Sequence, residues 1–258
     1  MPEHPGRTFQ EETRYRRRAM EARELDWGNR PPAYKSYAGS PVIGLPTPAP
    51  PPDLLTCIAR RRSVRSFAVA ALSLLDLSRL LWASVGITGS PTGPRSHDFY
   101  RAAPSAGALY PIETYVVANT VHGLEPGLYH YRVAGTDALG QPVIEDGHSL
   151  DQLRQGDLRA AVAAAALDQS MCARAGAVFL WTAVFARCEW KYRERAYRYI
   201  YLDAGHIAAQ LSLAAVALGL GSCPVAAFYD DEADALVGVD GGSEAVIYMT
   251  AVGVPGRP

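Results

Sequence analysis

Residues 177–185 read Ala-Val-Phe-Leu-Trp-Thr-Ala-Val-Phe, a nearly unbroken apolar stretch of strand length. Such a strand has no polar face to offer water, so both of its faces need cover. That requirement already demands a central sheet with other elements above and below it. The flanking sequence supplies candidates. Further strands are predicted over 112–118, 127–133, 224–228 and 245–252, from β-branched and aromatic runs bounded by turn residues. Helices are predicted from Pro51-Pro52-Asp53 to about Arg62, from Ser73 to Gly86, over 149–167, from about Tyr192 to Leu218, and over 230–237. Ser73 with Asp76 three residues on forms a capping box, and Gly219 suits the left-handed residue that closes a helix. Residues 87–103, rich in Gly, Pro, Ser and Arg, read as a mobile loop. Strands and helices neither alternate strictly nor segregate, which gives an α+β fold with helices around one sheet.

The first 52 residues stand apart as an N-terminal extension with a Pro-rich linker (Thr47-Pro-Ala-Pro-Pro-Pro52), ahead of one domain over 53–258. Trp27, Tyr34 and Tyr37 can anchor that extension on the body, and the run Arg14, Arg16, Arg17, Arg18 reads as a solvated helix face. With 25 basic and 26 acidic residues the net charge is −1, so no electrostatic drive toward nucleic acid exists. No apolar run reaches the ~18–20 residues of a membrane span, and the N-terminus lacks signal-peptide order. Cys57, Cys172, Cys188 and Cys223 are scattered, which disfavours both a disulfide frame and a metal site and suits a reduced, cytoplasmic protein.

Three short motifs carry chemistry. Arg61, Arg62, Ser63 and Arg65 gather forked cationic donors and a hydroxyl where a helix breaks into a loop, a donor set suited to phosphate. In an extended segment Arg61, Ser63 and Arg65 point the same way. A solvated basic helix end explains the cluster equally well. Pro104-Ser105-Ala106-Gly107-Ala108-Leu109-Tyr110-Pro111 leaves backbone open to a planar ligand, with Ser105 as a polar handle, or is an ordinary turn before a strand. Leu220, Gly221 and Ser222 follow the long helix and leave amides available to a ring system, although Gly219 is explained by helix closure alone.

In this order and at these separations the motifs resemble the flavin-binding elements of the nitroreductase superfamily. They are most similar to its SagB-type branch of FMN-dependent dehydrogenases, which oxidise azolines in modified peptides. Leu25-Asp26-Trp27 with Asn29 and the stretch 127–131 add to the likeness, which spans roughly residues 10–255. The resemblance implies a nitroreductase-like α+β fold with a mixed or antiparallel central sheet, a homodimer, and FMN in two sites at the subunit interface. It implies that Arg61, Arg62, Ser63 and Arg65 hold the phosphate and ribityl chain. Pro104, Ser105, Ala106, Gly107 and Leu109 would then approach from the partner chain, with Leu220, Gly221 and Ser222 lying against the ring. Arg257 is the one candidate for a basic residue completing the phosphate site.

The adjacent Lys191 and Tyr192 match the Lys-Tyr pair of azoline-oxidising relatives. Aromatising an azoline removes a hydride from one carbon and a proton from its neighbour, so a positioned base is required. A lysine in a poorly solvated pocket can serve in its neutral form. The expected reaction is oxidation of an azoline or a Cα–Cβ bond in a peptide or carrier-bound intermediate, with electrons returned to dioxygen and possible partner proteins of a biosynthetic complex. The alternatives are an NAD(P)H-dependent nitro or quinone reductase and a non-catalytic docking subunit. His97, Asp98 and Tyr100 either line the substrate mouth or belong to a solvated loop; Tyr197 and Tyr201 are read as dimer-interface packing, and His206, Arg193, Arg195 and Cys223 as packing or solvated residues.

Overall fold

The structure is a computed structural model that describes residues 5–12, 14, 16, 17, 54–89, 99–133, 135, 136, 142, 143 and 148–256. Its centre is the predicted apolar strand, β4 (Ala177–Val184). Antiparallel pairing joins it to β1 (Ile112–Ala118) on one side and β6 (Glu244–Gly253) on the other. β2 (Gly127–Arg132), β3 (Ser149–Gln155) and β5 (Gly221–Val225) complete a six-stranded sheet in the order β5-β6-β4-β1-β2-β3. Every pairing within it is antiparallel. Parallel pairing, which the mixed-sheet expectation allows, is found among the described residues only at Leu72–Ser73 against Val121–His122 and at an isolated Ser63–Ser222 bridge.

Alternation along β4 divides the core. Ala177, Phe179, Trp181 and Ala183 pack into a cluster containing side chains of α3 (Leu74–Val85), α6 (Phe185–Tyr192) and α7 (Ala196–Ala217). Val178 and Leu180 face a second cluster with α4 (Arg159–Ala165), α5 (Ser170–Arg174) and α8 (Asp230–Val237). Phe179, Leu180 and Trp181 are fully buried, each worth about 1.5–3 kcal/mol in apolar transfer. The helical run Phe185–Ala217 is long and apolar enough to cross a membrane by length and composition. Here it is the central helical element, with ten α7 residues buried.

Local chemistry sets several boundaries as predicted. The Ser73 hydroxyl accepts from Asp76 N–H at 2.9 Å and donates to its carboxylate at 2.7 Å, and Gly86 closes α3. Gly219 takes φ +73° after α7. Five predictions need correction. The 149–167 helix is strand β3 followed by the short α4, because β2 has a free edge that binds residues 149–155. The 87–103 loop contains a small hairpin, Ile87–Gly89 with Tyr100–Arg101. The long helix is interrupted by a 3-10 turn at Arg193–Arg195, where Arg193 takes φ +52°. The penultimate strand runs over 221–225, earlier than predicted, and the first core helix, α2 (Leu54–Arg60), stops short of Arg62.

The arginine run is docked onto the body. Arg14, 11% exposed, donates to Asp234 at 2.7 Å and to the Gly241 carbonyl. Arg17 pairs with Glu232 and Asp168 and lies over the Tyr229 ring, and Arg16 faces Asp231. Helix α8 supplies most of these partners, Asp231 and Glu232 from its acidic first turn and Asp234 just beyond it. Upstream, α1 (Pro5–Glu12) meets the 3-10 turn, where Gly6 N–H donates to Glu194. Trp27, Asn29, Tyr34, Tyr37, Arg18 and the Pro-rich linker lie outside the described residues.

Candidate active site

The basic motif leaves α2 and runs along the edge of the sheet. Ser63 bridges Ser222, Val64 N–H donates to the Ser222 carbonyl at 2.9 Å, and Ala68 N–H donates to Val254. These bonds bring the Arg61–Arg65 and Leu220–Ser222 motifs together from distant parts of the sequence. Gly221 makes the approach possible: a Cβ there would stand 2.8 Å from Val64 Cβ. Leu220, Gly221 and Ser222 are buried, so this glycine seats Val64 in addition to thinning the backbone, a reason the sequence does not show. Arg62 turns back to donate to the carbonyls of Ala59 and Arg61, closing α2, in contrast to the ligand-facing role expected. The guanidinium groups of Arg61 and Arg65 make no hydrogen bond or ion pair among the described residues. Arg61 is half-buried, and Ser63 and Arg65 are exposed. Arg257 lies outside the described residues. Burial pushes the Cys223 thiol above its ordinary value, consistent with a packing residue.

The second motif is a turn of left-handed residues: Gly107, Ala108 and Tyr110 have φ of +65°, +55° and +44°. Such a conformation is costly for non-glycine residues. Asp203, on the buried face of α7, over-determines it. Its carboxylate accepts from Ser105 Oγ at 2.6 Å and from Ala106 N–H at 3.3 Å, while Ser105 Oγ accepts from Tyr110 N–H at 3.0 Å. Burial raises the Asp203 pKa against the pull of these two donors. The Ser105 hydroxyl hydrogen is therefore committed to Asp203. Pro104 and Gly107 are exposed, Ala106 and Leu109 half-buried. Asp203 escaped the sequence reading; a lone carboxylate on an otherwise apolar helix face was the available signal.

Lys191 and Tyr192, at the end of α6, meet this turn. A Cβ built on Gly107 would lie 2.5 Å from Tyr192 Oη and 2.9 Å from Lys191 Nζ. The Tyr192 ring packs edge-on against Tyr199 at 4.8 Å, and Lys191 Nζ stands 5.4 Å from the Tyr192 ring centre. One turn before Lys191, Arg187 donates to Glu113 at 2.5 Å and to the Tyr110 carbonyl at 3.3 Å, tying α6 to the turn. Burial opposes ionisation of Glu113, but His130 and Arg187 together hold its pKa below the ordinary value. Lys191 itself is exposed, so the described residues do not build the poorly solvated pocket expected around it.

The two groups sit at opposite ends of α7. Its 22 residues span about 33 Å, with Lys191 and Tyr192 just before it and Gly221 and Ser222 just after. Among the described residues no cluster of His, Cys, Asp or Glu could hold a metal ion, and all four cysteines are free.

A family model described as the nitroreductase family matches residues 58–254. The chain belongs to the nitroreductase family. A Methanocaldococcus jannaschii protein classed with the nitroreductases is 35% identical over 175 residues, which are 68% of this chain and 79% of that protein. The trifolitoxin-processing protein TfxB of Rhizobium leguminosarum bv. trifolii is 38% identical over 125 residues, 46% of this chain and 30% of that one. Among solved structures, the Escherichia coli microcin synthetase McbBCD complex with truncated pro-MccB17 bound superposes with a TM-score of 0.65 at 18% identity, covering 93% of this chain and 86% of that chain. A Desulfovibrio desulfuricans nitroreductase-type protein in complex with FMN gives 0.53 at 18% identity, covering 81% and 89%. These likenesses show a nitroreductase-like α+β fold, the fold of an oxidoreductase family.

Proposed function

We propose that this family member is an FMN-dependent dehydrogenase, acting as a homodimer, that oxidises an azoline ring or a Cα–Cβ bond in a peptide or carrier-bound natural-product intermediate. The observation carrying the reading is the convergence of Lys191 Nζ and Tyr192 Oη on the bare backbone of Gly107, within the strained turn. A simple electron-transfer flavoprotein needs no amine and phenol held there; a reaction that removes a proton beside a hydride does. The similarity to a trifolitoxin-processing protein supports a peptide-maturation setting.

The residues present fit FMN. Arg61 and Arg65, unpaired among the described residues, flank Ser63 on the extended segment, a fork-and-hydroxyl set suited to a phosphate monoester. When bound, FMN supplies a two-electron acceptor for the hydride. The placement of Lys191 before α7 and of Gly221 after it supports a site that combines Arg61–Ser222 of one protomer with Ser105–Tyr192 of its partner. Exposed apolar residues Leu54, Leu55 and Ile58 on α2 and Leu202 on α7 suit such an interface. In that arrangement Lys191 takes the substrate proton at Nζ, and the Tyr192 hydroxyl positions the ring atom losing it. A second chain and the substrate would together exclude the water that now solvates Lys191.

Purified protein should be yellow and dimeric. Arg61→Ala with Arg65→Ala should lose the flavin, whereas Lys191→Ala should keep it and lose turnover of azoline peptides. Colourless protein that cannot be reconstituted would defeat the reading. Rapid bleaching by NADPH with no azoline oxidation would replace it with a reductase.

A further inference from the structure

A concavity of about 320 Å³ lies between α3 and the β2–β3 edge, lined by five leucines, of which Leu77 and Leu81 come from α3 and Leu150 from β3, with Ser78, Tyr131, His148 and Ser149 as its polar members. None of these residues belongs to the site described above. A leucine-lined hollow of this size with a few convergent polar groups has the anatomy of a small-molecule site. The polar groups form a chain. Tyr131 Oη is 2.6 Å from His148 Nδ1, and His148 Nε2 is 3.0 Å from Ser78 Oγ.

The direction of that chain follows from proton counting. Tyr131 is 2% exposed, and His148 Nδ1 is the one acceptor its hydroxyl has among the described residues. The phenol therefore donates to Nδ1, which leaves the imidazole hydrogen on Nε2, donating to Ser78 Oγ. Burial lowers the His148 pKa, so the ring is neutral at pH 7. Ser78, half-buried on α3, is left with a hydroxyl hydrogen that has no acceptor among the described residues. Each member polarises the next, and the chain ends at the Ser78 O–H on the wall of a mostly apolar hollow.

We infer that this hollow binds an uncharged, largely apolar small molecule through one carbonyl-type acceptor, received by the Ser78 hydroxyl. A carboxylate is disfavoured because no cation lines the hollow among the described residues.

Acetophenone and α-methylstyrene make a suitable probe pair, nearly identical in shape and differing in the acceptor oxygen. Titrating each into the purified full chain, followed by leucine methyl NMR, reads affinity and location together and does not depend on flavin content. Acetophenone should shift the methyls of Leu77, Leu81, Leu124 and Leu150 saturably and bind about 5–10-fold more tightly than α-methylstyrene. Ser78→Ala should abolish that preference while α-methylstyrene binds as before. Imidazole ¹⁵N shifts should report the Nε2–H form of His148. Equal affinity for both probes in the unsubstituted protein, shifts at other leucines or none that saturate, or the Nδ1–H form would each overturn the inference.

Discussion

Gly107→Ala tests the convergence of the turn with the Lys-Tyr pair more directly than removal of either side chain. The new methyl carbon would enter 2.5 Å from Tyr192 Oη and 2.9 Å from Lys191 Nζ, both far ends of flexible side chains. An ordinary contact requires about 3.5 Å, so each group must retreat by roughly 0.5–1 Å. A displacement near 1 Å in reacting groups costs about a hundredfold in rate. The backbone contribution is smaller. At φ +65° an alanine is strained by about 1–2 kcal/mol, offset by about 0.4–1 kcal/mol from the stiffer unfolded chain. The variant should therefore fold with a loss of about 1 kcal/mol in urea titration, retain the flavin absorbance of the unsubstituted protein, and lose about two decades of turnover. Adding Tyr192→Phe removes the closest clashing atom, so the double substitution should fall short of the summed losses. Unchanged turnover in Gly107→Ala, at unchanged stability, would refute the close approach.

Asp234, buried beside Arg14, is pushed up to about 6 by burial, against the pull of Val246 N–H and Arg14. Because the folded value exceeds the ordinary 3.8, the folded state holds its proton more tightly. This group's contribution to stability is thus lost as pH rises from about 4 to about 6, by an amount on the order of 3 kcal/mol. Asp234→Asn should flatten that slope in denaturant titrations, and equal slopes would contradict the assignment. Asp203→Ala strands the Ser105 hydroxyl and Ala106 N–H, and should cost about 2 kcal/mol and sensitise residues 104–111 to proteolysis; a neutral effect would exclude Asp203 as the clamp of the turn. Gly221→Val drives side-chain atoms into Val64 and should detach the arginine segment, measured as weaker FMN retention with Lys191 unaffected. Retention at the original level would separate the two motifs.

Where local chemistry decides an element, the sequence was sufficient. The Ser73–Asp76 box, the β4 apolar run and the acidic α8 were all legible because their causes lie within a few residues. Residues 149–155 were misread because Leu150 and Leu153 have helical spacing, while the bonds that make them a strand come from β2, some 20 residues upstream. The break at Arg193 carries no Gly or Pro signal, yet it ends α6 and so places Lys191. In the site, residue types suited to phosphate and to proton transfer were legible. Their partners were not: Asp203 beneath Ser105, Val64 over Gly221, and Arg187 on Glu113 and the Tyr110 carbonyl are contacts across 98, 157 and 74 to 77 positions of chain.

The distance spanned by α7 has a genetic consequence. If phosphate cradle and proton acceptor belong to different polypeptides, two inactive alleles can rescue each other. Co-expressing a chain that lacks Arg61 and Arg65 with one that lacks Lys191 would yield hybrid pairs in which one of the two clefts inherits every needed group, restoring about a quarter of the sites under random pairing.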